Sequence, residues 1–321
     1  MPDREGLISR ILAETGHAAW TRTPLPHDAS RRRYERLTSG ERSRILMDAP
    51  PETGEDTRPF LAIGRHLRSI GLSAPALIHA ETSTGVLILE DLGHVLFADH
   101  LQVWPGEEEM LYLAAADVLA KVQSAPPPDG LLQLTPESAA QMLEPLFDWH
   151  VTLDPRNRAA IETEIAAALD RHAGPPDELS LRDFHAENLV WRPRLDGDAK
   201  VGLLDFQDAF LAPAAYDLAS LLDDARRDVE DETKDAVLTR FAERTGRDRA
   251  TLDRALAVLS VQRNLRILGI FARLVRRDRK PKYLAFVPRV RAHLCRRLED
   301  PALADLSRLC LPFLESEPDW T

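Results

Sequence analysis

Leu7, Ile8, Ile11 and Leu12 fall on one face of a helical wheel over residues 3–15, and Gly16 follows as a C-cap, so the chain is predicted to start with an amphipathic helix. Strand-like runs come next at 20–25, 32–37 and 43–47. Turn chemistry separates them, His27-Asp28-Ala29-Ser30 and then Thr38-Ser39-Gly40, which predicts an antiparallel meander. The helical period returns over 57–70, carried by Phe60, Leu61, Ile63, Leu67 and Ile70, and stops at Gly71 and Pro75. Residues 76–80 and 86–89 then read as a hairpin across 81–85. The pattern up to residue 91 describes a small α+β lobe.

After Glu90-Asp91-Leu92-Gly93 the period lengthens, and helices are predicted at 107–123, 136–151, 157–172, 213–227, 231–245, 250–276 and 285–299. One interruption stands out: apolar runs at 188–192 and 200–205, joined by a turn at 193–199, predict a short hairpin among the helices. The fold class expected is α+β in two lobes, residues 1–91 and 92–321. A length of 321 residues suits such a division. The chain has no internal repeat, and Pro126-Pro127-Pro128 reads as a stiff surface loop.

Composition narrows the classes. Hydrophobic residues make up 44% and charged residues 29%, which excludes disorder as the main state. No apolar run reaches the roughly 18 to 20 residues that cross a bilayer, and acids interrupt the apolar N-terminal residues, so a cytoplasmic protein with no membrane partner is expected. Cys295 and Cys310 alone cannot make a disulfide framework or a Cys-rich metal site. The net charge of −11 argues against a nucleic-acid partner. That charge is uneven, because residues 263–297 hold twelve Lys or Arg and one acid, Asp278. Leu265, Ile267, Leu268, Ile270, Phe271 and Leu274 in the same segment fit a buried helix with snorkelling arginines. The basic segment is nonetheless suited to an anionic ligand nearby. Only five lysines exist, none before Lys121.

The chemistry concentrates on the hairpin. In Leu181-Arg182-Asp183-Phe184-His185-Ala186-Glu187-Asn188 a carboxylate precedes an amide by five positions, and Leu203-Leu204-Asp205-Phe206-Gln207 places a second carboxylate at the end of the next strand. Each residue alone suits a turn or strand end. Together they supply what phosphoryl transfer needs: one Asp to orient and deprotonate the attacking hydroxyl, and an Asn with a second Asp to hold Mg²⁺ against nucleotide phosphates.

The arrangement resembles the aminoglycoside phosphotransferase and choline kinase-like family, small-molecule kinases with a two-lobed protein-kinase-like fold, over nearly the whole chain. The resemblance implies ATP bound between the lobes, Asp183 as catalytic base, Asn188 and Asp205 as Mg²⁺ ligands, and the backbone of Glu90 to Leu92 as the adenine contact. Tyr216-Asp217-Leu218-Ala219 is similar to the family's segment that buttresses the catalytic loop. Several pieces, Ser30-Arg31-Arg32-Arg33-Tyr34, Met47-Asp48-Ala49-Pro50-Pro51, Leu204-Asp205-Phe206-Gln207-Asp208-Ala209 and Gln262-Arg263-Asn264-Leu265 with 268–274, resemble a narrower group. These are the cytosolic anomeric kinases that phosphorylate N-acetylmuramate and N-acetylglucosamine at C1 in peptidoglycan recycling. A monomeric sugar 1-kinase acting on a small amino sugar is thereby implied.

Two positions depart from the family pattern. Leu181 stands where these loops usually carry His, and Met47 is the nearest equivalent of the strand Lys that holds the α and β phosphates. Arg31 and Arg32, in the turn between the first two strands, are the candidate replacement cations, with a solvated loop as the competing reading. Glu144, within a segment similar to the family's acceptor-framing insertion, and His185, Gln207, Asp208 and Arg263 are candidate acceptor contacts, with loop bracing as a second role for His185. An aminoglycoside or amino-alcohol acceptor, or a nucleotide-binding pseudokinase, stays open as an alternative.

Overall fold

A computed structural model describes residues 4–26 and 32–315. In chain order the elements begin with α1 (Arg4–Glu14), β1 (Thr21–Pro24), β2 (Arg33–Ser39), β3 (Arg42–Asp48), α2 (Arg58–Ser69), β4 (Leu77–Glu81) and β5 (Val86–Glu90). The helices α3 (Phe97–Val103), α4 (Glu108–Gln123), α5 (Pro136–Gln141) and α6 (Pro155–His172) follow. The short strands β6 (Glu178–Ser180), β7 (Leu189–Trp191), β8 (Val201–Leu203) and β9 (Phe210–Ala212) lead into α7 (Tyr216–Leu222), α8 (Asp231–Thr245), α9 (Arg249–Arg276), α10 (Val287–Arg297) and α11 (Ala304–Leu314). Contacts divide the chain into two units, Met1–Leu96 with Leu189–Asp208, and Phe97–Asn188 with Ala209–Thr321.

In the first unit β1 to β5 form an antiparallel sheet of order β1-β2-β3-β5-β4. Both faces are covered, which is why Val86 to Leu89 read as an unbroken apolar run rather than an alternation. Leu37, Leu46, Val86 and Ile88 bury one face with Ile8, Ile11 and Leu12 of α1. The β3–β5 crossing is tight at Gly85, whose φ is 73°, since a Cβ there would lie 1.9 Å from the Ala49 carbonyl oxygen. The β7–β8 hairpin belongs with this unit, although the sequence assigns it to the second lobe. Leu203 N–H donates to Ser73 O (2.8 Å) and Trp191 N–H to Val95 O (2.7 Å), pairings across more than 90 residues that no local pattern encodes.

The second unit is built around α9. Its length and hydropathy would suffice to span a bilayer, contrary to the expectation that no segment would, but 83% of that apolar window is buried as a core helix. The predicted helix at 136–151 is two pieces: α5, then a turn, then one π-type turn at Leu146–His150. Gly269 of α9 makes the second piece possible, because a Cβ there would come within 2.1 to 2.5 Å of Pro145 and Leu146 backbone atoms. α7 is shorter than the predicted 213–227 but buried along its whole length, Tyr216 to Leu222. Behind it Asp223 ties three helices together, accepting from Ser260 Oγ (2.5 Å) on α9 and Arg297 Nε (2.8 Å) on α10. α3, α11 and the β6–β9 pair have no counterpart among the predicted elements.

Candidate active site

The loop from Leu181 to Asn188 leaves β6 through Arg182, a non-glycine residue with a φ of 72°. That conformation costs an L-residue on the order of 1 kcal/mol or more, so something must hold it. Asp217, fully buried at the start of α7, does so: its carboxylate accepts from Ser180 Oγ (2.8 Å), Leu181 N (2.7 Å) and Arg182 N (3.0 Å). Burial pushes this carboxyl up to about 6, and the hydrogen bonds from Leu181 and Ser180 offset only part of that rise. From the other side Arg263 Nη1 donates to Arg182 O (2.8 Å) and Nη2 to Ser220 Oγ (2.8 Å), with the guanidinium 5.0 Å from the Tyr216 ring centroid. Both backbone polar groups of the strained residue are thus captured by buried charged side chains.

Asp183 follows, half-buried. Burial works against its ionisation, but Arg263, His185, Arg182 and Arg266 outweigh it and hold the carboxyl below the ordinary carboxylate value. Asn188 closes the loop, donating Nδ2–H to Asp183 O (2.9 Å) and N–H to His185 O (2.8 Å). The amide's donor end is thereby spent within the loop, and its oxygen is the end that suits a hard cation. His185 is buried and braces the loop, and that burial lowers its pKa against the pull of Asp224 and Asp183. Its Nε2 lies 3.4 Å from both Asn188 Nδ2 and Arg226 Nη1, and Arg226 Nε in turn pairs with Glu187 (2.7 Å). Leu181, in place of the family's usual His, is buried apolar packing.

The remaining sequence candidates lie mostly in the first unit. Asp205, two residues past β8, also has a positive φ, 57°, and is exposed. Gln207, predicted as an acceptor contact, is buried and donates Nε2–H to Asp205 Oδ1 (2.8 Å), so its donor braces Asp205. Asp208 is exposed beside it. Arg32 is buried rather than part of a solvated loop, and its Nε donates to Glu55 (2.7 Å) just ahead of α2. Arg32, Glu55 and Asp205 all act on the Tyr34 hydroxyl, which places the Arg32–Glu55 pair in the neighbourhood of Asp205. Arg31 lies outside the described residues. Met47 is wholly buried in the sheet. Glu90 donates N–H to Ala76 O (2.8 Å), and its carboxylate holds Ala76 N, Arg68 and Arg192, so the exit of β5 toward Leu92, itself buried, is firmly anchored.

Two candidates of the second unit change meaning. Arg263 was expected at the acceptor, but its guanidinium is buried and bonded to Arg182 O and Ser220, because it carries the loop's backbone. Glu144 is exposed at the turn before the π-type turn. Sequence reasoning missed Ser180, Ser220 and Glu55, each of which acts through a partner 23 to 43 residues away and carries no local signal. Among the described residues no group of three or more His, Cys, Asp or Glu forms a ready cage for a metal. An Asn and an Asp nevertheless fit Mg²⁺, which commonly takes one or two protein oxygens and completes its shell with water and substrate phosphates.

Comparison with known proteins agrees with this geometry. Over most of its length the chain is similar to N-acetylmuramate/N-acetylglucosamine kinases from Caulobacter vibrioides, at 39% identity covering 95% of each chain, and Pseudomonas aeruginosa, at 33% identity covering 89% of this chain and 86% of the relative. In fold it resembles a choline kinase from Streptococcus pneumoniae, with a TM-score of 0.67 at 13% identity over 91% of this chain and 99% of that one. A choline/ethanolamine kinase family protein from Mesorhizobium loti gives a TM-score of 0.66 at 14% identity, covering 95% and 97%. The α+β, protein-kinase-like fold expected from the sequence is therefore the fold observed. Residues 21–254 match the phosphotransferase enzyme family, and the chain is a member of that family.

Proposed function

We propose that the protein is an ATP- and Mg²⁺-dependent sugar kinase that phosphorylates the anomeric hydroxyl of N-acetylmuramate and N-acetylglucosamine, in the cytoplasm, during peptidoglycan recycling. The observation that carries this reading is similarity at 30–39% identity, over 84–95% of the chain, to four kinases named for these two sugars. The held geometry of the 181–188 loop supports it.

Asp183 accepts a hydrogen bond from the sugar O1–H and fixes the direction of attack on the γ-phosphorus. The O1–P bond forms as the bond to the ADP oxygen breaks, and the proton passes from O1 to Asp183 Oδ. Because Arg263 and its neighbours keep Asp183 ionised, it is a weak base that orients first and takes the proton late, which suits a loose phosphoryl-transfer transition state. An anomeric hydroxyl, more acidic than other sugar hydroxyls, matches so weak a base. Asn188 and Asp205 would hold Mg²⁺, whose charge offsets that of the nucleotide phosphates. Arg32, aimed by Glu55, takes the part of the missing strand Lys, and the Glu90–Leu92 backbone receives adenine. His185 and Gln207 position the loop and Asp205 respectively, and Asp208 and Glu144 are left as polar contacts at the edge of the acceptor.

ADP release measured over free sugars, aminoglycosides and choline tests the assignment. The two N-acetyl sugars should exceed every aminoglycoside and choline by at least about a hundredfold in kcat/KM, some 2.7 kcal/mol of transition-state preference. A preference for choline or an aminoglycoside, or no turnover of any acceptor, would overturn it.

A further inference from the structure

The basic stretch of α9 divides into arginines with work inside the protein and two without, Arg273, whose charge acts on Asp278, and Arg266, whose charge acts on Asp183. Arg263 is spent on Arg182 O and Ser220, and Arg276 donates to Trp149 O (2.9 Å). Arg266 lies three residues beyond Arg263, on the same side of the helix, and is half-buried. Among the described residues it makes no hydrogen bond and no ion pair. Its neighbours by electrostatic reach are Tyr216, Arg182, Arg263 and Asp183, and burial draws its pKa down. A partly desolvated guanidinium beside two other arginines is costly unless an anion meets it, and the carboxylate among these neighbours, Asp183, is the proposed base.

N-acetylmuramate differs from N-acetylglucosamine by a lactyl ether at C3, which carries a carboxylate. C3 is two ring atoms from C1, so with O1 at Asp183 that carboxylate falls on the same small patch of the second unit. We propose that Arg266, and not Arg263, is the specificity-determining residue that receives the lactyl carboxylate of N-acetylmuramate, as a charge-assisted pair of the kind guanidinium forms with carboxylate. This inference rests on the sugar-kinase reading above. It explains how one site serves both sugars: with N-acetylglucosamine the guanidinium meets water, and with N-acetylmuramate it meets its counter-charge.

Kinetics of R266Q, R266K and R263Q with N-acetylglucosamine, N-acetylmuramate and N-acetylmuramate amidated at the lactyl carboxyl test it. For R266Q the ratio of kcat/KM for N-acetylmuramate over N-acetylglucosamine should fall by about ten- to a hundredfold. The amide should lose little on the same substitution, since it has no charge to lose a partner, and R266K should recover part of the ratio. R263Q should lower both sugars together by disturbing the loop. Equal losses for the three acceptors in R266Q, or a loss expressed only in KM for ATP, would overturn the assignment while leaving the sugar-kinase reading intact. Failure of the wild type to phosphorylate either sugar would remove both.

Discussion

Arg182 and Asp205 are the same kind of exception held in two different ways. Each is a non-glycine residue in the left-handed region, and each sits two residues past a three-residue strand. Arg182 is pinned through its backbone, its N–H on Asp217 and its carbonyl on Arg263, both partners buried. Asp205 is exposed and steadied by the side chain of Gln207. A loop proposed to set the direction of hydroxyl attack tolerates little displacement, since misplacement of about 1 Å can cost a hundredfold in rate. A carboxylate proposed to bind a metal must instead adjust as nucleotide and ion enter and leave. The second unit therefore spends buried charge on rigidity, and the first keeps its candidate ligand adaptable.

Removing the group that the rigid loop presents should have the largest effect. Asp183→Asn should lower kcat by roughly two to four decades with ATP affinity nearly unchanged, and retention of more than about a tenth of wild-type kcat would dismiss Asp183 as the base. Breaking the pin comes next. Asp217→Asn replaces one acceptor oxygen by an amide donor, which must face either Leu181 N–H or the pair Ser180 Oγ–H and Arg182 N–H, and kcat should fall about ten- to a hundredfold with little change in KM for ATP. The same variant has a pH signature. The folded value near 6 lies above the ordinary 3.8, so the folded protein keeps this proton to higher pH than the unfolded chain. Asp217's contribution is greatest below about pH 4 and falls by on the order of 3 kcal/mol as pH rises to about 6. The wild-type minus Asp217→Asn difference in unfolding free energy, followed by denaturant titration from pH 4 to 7, should show that decline, and a flat difference would contradict it. Asp183, held low, works in the opposite sense, adding stability above its ordinary value that is lost as pH falls through its lowered folded value.

Changes on the adaptable side should be milder. Arg32→Ala should reduce kcat/KM for ATP by about ten- to a hundredfold, and Glu55→Gln by less, since the cation remains but loses its aim. ATP saturation curves matching wild type in both variants would leave the phosphates to another group. Gln207→Ala should raise the Mg²⁺ concentration for half-maximal activity by up to about tenfold, with kcat at saturating Mg²⁺ nearly restored. An effect of Gln207→Ala as large as that of Asp217→Asn would erase the contrast between the two loops.

The division between legible and hidden features follows range along the chain. The three-stranded meander, the β4–β5 hairpin and the Tyr216–Ala219 buttress were readable because period, turn chemistry and spacing are local. For Arg263 and Gln207 residue type alone suggests ligand contact, while the burial that sends their donors to Arg182 O and Asp205 is set by tertiary packing. The break of 136–151 depends on Gly269, more than a hundred residues later, admitting the Pro145–Leu146 backbone. The β6–β9 pair escaped because three-residue strands are too short to show an alternation.

The most direct test of the central claim is the position of the transferred phosphate. ³¹P and ¹³C NMR of the product formed from N-acetylglucosamine and Mg-ATP should show phosphorus coupled to C1, with the methyl glycoside of the same sugar unreactive because it lacks the hydroxyl that Asp183 is proposed to deprotonate. Phosphorus on any other carbon, or efficient turnover of the methyl glycoside, would contradict the account.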